Sequence, residues 1–497
     1  IENNGSLVQV NDVSNIGNVS VKREIASISN YDYIYWSSPV VNFNVDGIYS
    51  GFGSSPLYKY YWDPVATNAN GTQGNWIDAT GMNMEIGRGY IVRDPSYSFN
   101  PAETVDFNNG IPHNGTIDVE IRRGTNGSSV DDNWNLIGNP YASSIDAIDF
   151  LIDNTNIDGF VYLWRHLNDP LTSNPDPFYQ DFVYNYDADD YVAYNEMGVS
   201  DPIGFNGYIA TGQSFMVSML ESGAATQNVT FDNTLRDIVY DNSQFYSPNP
   251  DNNVVFGEST DENSTEFTGK HRIWLDLISS DEDVDRILVG YAEGATLARD
   301  RMYDALTTLD NTQNFYSLID DEIFVIQGRG LPFEETDEIP LGMQIESPGQ
   351  YHIGMAQIDG IFEGQDQPVY LRDGYNNFIH NLKESPYNFY SEAGLINDRF
   401  DIVFINETLD LDDIQTDSYS LIIYEDQNGN FHIRVAENLT IKTVEINDLL
   451  GRKVLLSTGL NSSNIQLNTS DLSQSAYVVT VEVENGARLV RKVVKRY

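Results

Sequence analysis

The chain carries six histidines, His113, His166, His271, His352, His380 and His432, and no two of them lie within four residues of each other. A zinc helix of the HExxH type needs two imidazoles one helical turn apart, so that chemistry is excluded and only ligands gathered from distant strands would remain. There is no cysteine, hence no thiolate nucleophile, no thiolate zinc site and no disulfide framework. Neither a Gly-x-Ser-x-Gly elbow nor a phosphate-binding Walker loop occurs. On this reading the chain is not an enzyme.

Carboxylates are the abundant reactive group, with 74 Asp and Glu against 27 Lys and Arg and a formal charge of -47. In so acidic a chain some acid pairs must fall close together by chance, so proximity alone says little about glycosidase chemistry. Three denser groups are candidate calcium ligands: Asp187, Asp189 and Asp190; Asp281, Glu282, Asp283 and Asp285; Asp410, Asp412 and Asp413. Calcium takes about six to eight hard oxygens from loops of this kind. None completes an EF-hand, since Asp426, Asn428 and Asn430 have its first spacing but lack the Gly and the distal Glu. Solvated loops are the plainer reading. The charge repels nucleic acid and anionic lipid and suits solubility at a cell surface.

The elements that must position these groups are strands. Tyr at 31, Phe at 23 and 38 Gly, with Val, Ile and Thr in short runs, predict an all-β chain of several tandem β-sandwich modules. At 497 residues the chain is too long for one core. No run of about 18 apolar residues occurs, so no transmembrane segment is predicted. Nothing at the start resembles a signal peptide, and Ile1 lies just before a predicted strand over residues 6–10. This implies that residue 1 is a cut in a longer protein whose upstream part carries its own signal peptide.

An internal repeat organises the first half. Tyr35-Trp36-Ser37-Ser38-Pro39, Tyr60-Tyr61-Trp62-Asp63 and Gly87-Arg88-Gly89-Tyr90 recur as Leu136-Ile137-Gly138-Asn139-Pro140, Val161-Tyr162-Leu163-Trp164 and Gly207-Tyr208. Pro39 and Pro140 are 101 apart and Trp62 and Trp164 are 102 apart, whereas Tyr90 and Tyr208 are 118 apart. An insertion of about 16 residues within 165–190 accounts for the difference. Two related modules, 1–127 and 128–235, follow. The Trp62 and Trp164 rings are either core or sugar-stacking platforms for a surface glycan, and the alternation favours core. Residues 236–265 read as a linker. A sandwich module spans 266–408, with strands at 271–277, 286–291, 322–327, 351–358, 368–371 and 399–404 and one short helix at 298–306. The last module spans 420–497, with hairpins at Asn428-Gly429 and Asn485-Gly486 and a basic end from Arg488 to Arg496.

That last module resembles the type A C-terminal sorting domain of type IX secretion cargo. The resemblance is carried by Val444-Glu445-Ile446-Asn447-Asp448-Leu449-Leu450-Gly451-Arg452-Lys453-Val454, Ile465-Gln466-Leu467, Asp471-Leu472-Ser473, Tyr477-Val478-Val479 and Lys492-Val493-Val494-Lys495-Arg496. Ser475-Ala476 stands where the family has Gly. The resemblance implies a small Ig-like β-sandwich that directs cargo across the outer membrane to the cell surface. Its implied partners are the translocon, an outer-membrane shuttle barrel and a cell-surface sortase, and its implied recognition residues are Leu450, Gly451, Arg452, Tyr477 and Lys492. Upstream, Val325-Ile326-Gln327-Gly328-Arg329-Gly330 and Leu371-Arg372-Asp373 resemble the modules preceding such signals in large surface adhesins of gliding bacteria. The expectation is therefore an adhesin stalk with an export signal, or else the accessory carbohydrate-binding and export region of a polysaccharide-degrading enzyme.

Overall fold

The computed structural model describes residues 1–25, 33–49, 58–68, 71–93, 103–124, 133–165, 186, 190–201, 205–245, 269–309, 311–364, 367–406, 421–426, 429–435, 439–448, 452–484 and 488–495. The protein is all-β and divides into two compact units, Ile1–Asn406 and Glu407–Tyr497. Among the described residues no helix is long and apolar enough to cross a membrane.

Both repeats build the same four-strand order, to which the second adds Gly198–Val199 beside Tyr191–Asn195. In the first the strand order is Tyr33–Trp36, Tyr90–Arg93, Lys59–Thr67, Gln73–Asp78, and in the second Trp134–Gly138, Ser214–Ser218, Val161–Trp164, Tyr191–Asn195. Each adds a two-stranded ribbon: Val19–Ile25 with Glu103–Gly110, and Ile117–Arg122 with Thr226–Phe231. The boundary between repeats therefore falls between 110 and 117, not at 127, because Ile117–Arg122 pairs forward into the second copy. One landmark also moves. Tyr90 pairs with Trp36 and Phe215 pairs with Ile137, so Gly212-Gln213-Ser214-Phe215 is the counterpart of Gly87-Arg88-Gly89-Tyr90. Gly87 (φ 68) and Gly212 (φ 80) both take the left-handed turn that glycine alone adopts without strain. Tyr208–Ile209 instead pairs with Ile145–Asp146.

The copies face each other across a pseudo-two-fold axis, as two subunits of a symmetric dimer would. The Ser37 N–H donates to Gly212 O (2.8 Å), and its counterpart, the Gly138 N–H, donates to Gly87 O (2.9 Å). A single core holds Trp36, Tyr90 and Phe107 of the first copy with Leu136, Trp164 and Met216 of the second. The repeats are thus one body rather than two stacked modules.

Two local expectations change. Residues 6–10 form no strand; Leu7 makes one backbone bond to Ala142 (2.7 Å) and Val10 is exposed. No helix forms at 298–306, because side chains take the backbone donors there: the Ala298 N–H goes to Thr296 Oγ1 (3.2 Å) and the Asp300 N–H to Asp304 Oδ2 (2.5 Å). The described helix is Ala147–Asp153, capped by Asp146, which accepts from the Ile148 and Asp149 N–H groups. Arg301 reaches the other end of that helix, donating to Leu151 O and to Asn154 O (2.8 Å), where a cation is favoured by the dipole.

Of the linker, 236–245 packs onto the repeats, and 246–268 lies outside the described residues. Arg23, fully buried, donates to Thr211 O (3.0 Å), Asn242 O (2.7 Å) and Asn242 Oδ1 (2.8 Å), tying that segment down. Burial pulls its guanidinium down to about 9, so it is still a cation at neutral pH.

The predicted strands of 266–408 lie in one 11-stranded sheet. Its one parallel pairing joins Val284–Ala292 to Glu322–Gly330. The sheet curls until its ends meet: Tyr387, on one end strand, donates to Asp373 Oδ2 (2.8 Å) near the other end and stacks on Phe378 at 6.0 Å. Both layers of this sandwich are halves of one sheet around the Ile273–Phe404 core. A further core of Phe160, Ala193 and Met197 with Trp274, Leu288 and Ile326 fuses it to the second repeat. Arg286 bridges the same junction, paired with Asp276 (2.6 Å) and Asp201 (3.0 Å).

The unit Glu407–Tyr497 is a two-layer sandwich. A three-stranded sheet, Leu421–Glu425, Phe431–Val435 and Asn464–Leu467, faces a four-stranded one ordered Lys453–Ser462, Ile441–Asp448, Ala476–Val483, Arg488–Val494. Alternation fills its core: Tyr477, Val479, Val481 and Val483 are buried while the residues between them are half-exposed.

Candidate functional site

The residues expected to be functional form two sets, and each has a distinct setting. Trp62 and Trp164 are both 5% exposed, and neither offers a ring face to a sugar. The Trp62 Nε1–H donates to Trp134 O (2.7 Å), and the Trp164 Nε1–H to Tyr33 O (2.9 Å). Tyr33 and Trp134 are themselves counterparts, 101 residues apart. The two tryptophans are therefore a reciprocal clamp: each copy's indole is satisfied by the other copy's first strand. Trp164 stacks on Tyr35 at 5.5 Å with 7° between planes, and Trp62 packs against Trp76 at 5.3 Å. The core reading holds, and the glycan-stacking reading of these two rings fails for want of an exposed face.

The second set lies on the C-terminal sandwich. Leu450 and Gly451 fall outside the described residues, as do Asn428 and the Asn485-Gly486 turn. Arg452 is held by Asp448, which accepts from its backbone N–H (2.9 Å) and from its Nε (2.6 Å), while its side chain stays 75% exposed. Asp448 pairs with Tyr477, Tyr477 with Val493 and Val478 with Lys492, so Arg452, Tyr477 and Lys492 share one end of the four-stranded sheet. They do not share a face. Tyr477 is buried and donates to Ser473 O (2.8 Å), whereas Lys492 is exposed. Only Arg452 and Lys492 of the described set are placed to touch a partner.

The basic strand itself splits by role. Arg491 donates to Leu421 O, and Lys495, fully buried, donates to Glu425 Oε1 (2.9 Å) and Gly429 O (2.7 Å). These two cations hold the layers together, a role that residue type alone does not reveal. Arg488 and Lys492 remain on the surface, with Val490 (62% exposed) and Val494 (54%) between and beyond them. Among the described residues Arg488–Val494 is an edge strand, with one row of backbone N–H and C=O groups outside the ladder.

Among the described residues no three His, Asp or Glu side chains gather into a group able to hold a metal ion. Asp281 and Asp283 sit in a hairpin turn whose backbone donates to Ser279 Oγ (3.2 Å each), and Asp285 accepts from the Phe315 N–H. Asp426 accepts from the Asn430 N–H (2.9 Å) and Gln466 Nε2 (2.9 Å), closing its own hairpin. Of the first acidic group only Asp190 is described, and it is buried. Asp410, Asp412 and Asp413 lie outside the described residues.

Fold and sites together define a two-unit, all-β protein with a fused internal repeat and a separate small sandwich. The chain belongs to the family of the domain of unknown function DUF8693, whose model matches residues 1–404. A second domain of unknown function, DUF8694, matches residues 409–495. No curated protein matches the chain. The two matches divide the chain where the compact units divide.

Proposed function

We propose that the chain is the C-terminal region of an exported, adhesin-like cell-surface protein, with residues 1–406 as its rigid stalk and residues 407–497 as the signal for type IX export. One observation carries this reading: the segment resembling a sorting domain is a compact unit with its own core, bearing Arg452 and Lys492 exposed at one end of one sheet. A transferable signal needs that independence from its cargo. The open edge strand Arg488–Val494 offers a second mode of engagement, pairing with a strand of a partner. The shuttle barrel and the surface sortase are the partners this reading assigns. Export is tested by deleting residues 407–497 in a host with that secretion system and, separately, by fusing the unit to an unrelated passenger. Truncated protein trapped inside the outer membrane and passenger displayed outside it are the expected results. Normal surface display of the truncation sinks the proposal.

A further inference from the structure

One of the differences between the two repeats opens a cleft. In the second copy Asp146 caps the helix Ala147–Asp153, whose Phe150 stacks on Phe231 of the ribbon at 4.7 Å. At the equivalent place in the first copy Asn44 caps only a single turn, Val45–Gly47, and Phe43 meets Phe107 of the ribbon at 4.7 Å. The shortened turn leaves a cleft of about 690 Å³ between residues 41–49 and the ribbon strand Glu103–Gly110.

Side-chain amides dominate its lining, and among the described residues that line it Asp106, already bonded to Ser20, is the one ionised group. The Asn42 and Asn108 amides make no hydrogen bond with the described residues, although most other polar groups nearby are paired within the protein. Asn109 accepts from Asn18 Nδ2 (2.8 Å), which leaves its own NH₂ to face outward partners. Three lining residues other than glycine hold left-handed backbone, Asn42 (φ 61), Tyr49 (φ 56) and Asn109 (φ 55). Such conformations cost about 1 kcal/mol or more and gather at ligand sites. Val41 and Ile111, joined by a backbone bond of 2.9 Å and 39% and 38% exposed, put apolar surface beside the amides.

We propose that this cleft binds a neutral oligosaccharide. An amide offers a donor and an acceptor at the spacing of vicinal hydroxyls, and Val41 and Ile111 cover the C–H face of a ring. With no cation among the described residues of the lining and a net charge of -47, a phosphate, sulfate or uronate finds no counter-charge there. The proposal is independent of the export role of the C-terminal unit, and it moves sugar binding away from Trp62 and Trp164.

The test uses the full chain with hexasaccharides of β-linked glucose, xylose, mannose and N-acetylglucosamine, and an oligogalacturonate as the anionic control. Binding is read by saturation-transfer NMR and titration calorimetry. Asn42→Gly keeps the left-handed backbone while deleting the amide, and Asn108→Ala deletes the second amide. The expected result is millimolar or tighter binding of at least one neutral ligand, weakened about tenfold or more by each variant at unchanged thermal midpoint. Absence of binding across the neutral panel, a smaller effect of both variants, or preference for the oligogalacturonate overturns it. Should Asn42→Gly alter the midpoint, Asn108→Ala alone decides.

Discussion

At the scale of single residues, burial rather than type decides what a group does. Asp304 is one of 74 acids, yet it is 4% exposed and accepts from the Asp300 N–H and from the Gly328 N–H at 2.9 Å. Burial pushes its carboxyl up to about 7. Between its ordinary value of 3.8 and that figure the native state holds a proton the unfolded state has released, so its contribution to stability is complete below pH 4 and is lost as pH rises to 7. The expected loss is on the order of 2 to 4 kcal/mol. Asp304→Asn removes the titration. Relative to wild type, its thermal midpoint should therefore rise from pH 5 to pH 8, as scanning calorimetry at both values would show. Nothing in the sequence marks Asp304, since an acidic composition hides the buried acid among solvated ones. Trp62 and Trp164 were legible as a spaced pair; that their N–H groups cross to the other copy was not, because spacing says nothing of direction.

At the scale of elements, regular grammar was readable and irregular packing was not. The paired strands of the C-terminal sandwich and most strands of 266–406 follow alternation and turn residues closely. The helix Ala147–Asp153 had a signal in Asp146 followed by apolar residues at helical spacing, Ala147, Phe150 and Leu151. Residues 236–245 gain their place through contacts distant in the chain, among them Arg23, more than 200 residues away, and Gly5, whose carbonyl accepts from Asn242 Nδ2. The repeat's third landmark was misplaced because Gly-x-Ser-Phe hides its kinship to Gly-x-Gly-Tyr. Contact between the copies is close enough to forbid side chains: a Cβ on Gly138 would lie 2.3 Å from Ser37 Cβ. Gly138→Ala should cost about 1 to 3 kcal/mol by overpacking, seen as a lower urea midpoint.

At the scale of the molecule, three sequence modules within 1–406 share cores, while 407–497 has its own. Calorimetry of the full chain should accordingly give two transitions, one for each unit, and Gly138→Ala should shift only one of them. Separate melting of the two repeats would contradict the shared core. The reciprocal bonds of Ser37, Gly138, Trp62 and Trp164 have a kinetic side as well. An association that two free subunits would complete by collision is here a first-order step on one chain, at a high effective concentration set by the short connection between Gly110 and Ile117. Dilution cannot part the halves. Exchange with another copy of the protein requires the shared core to open first.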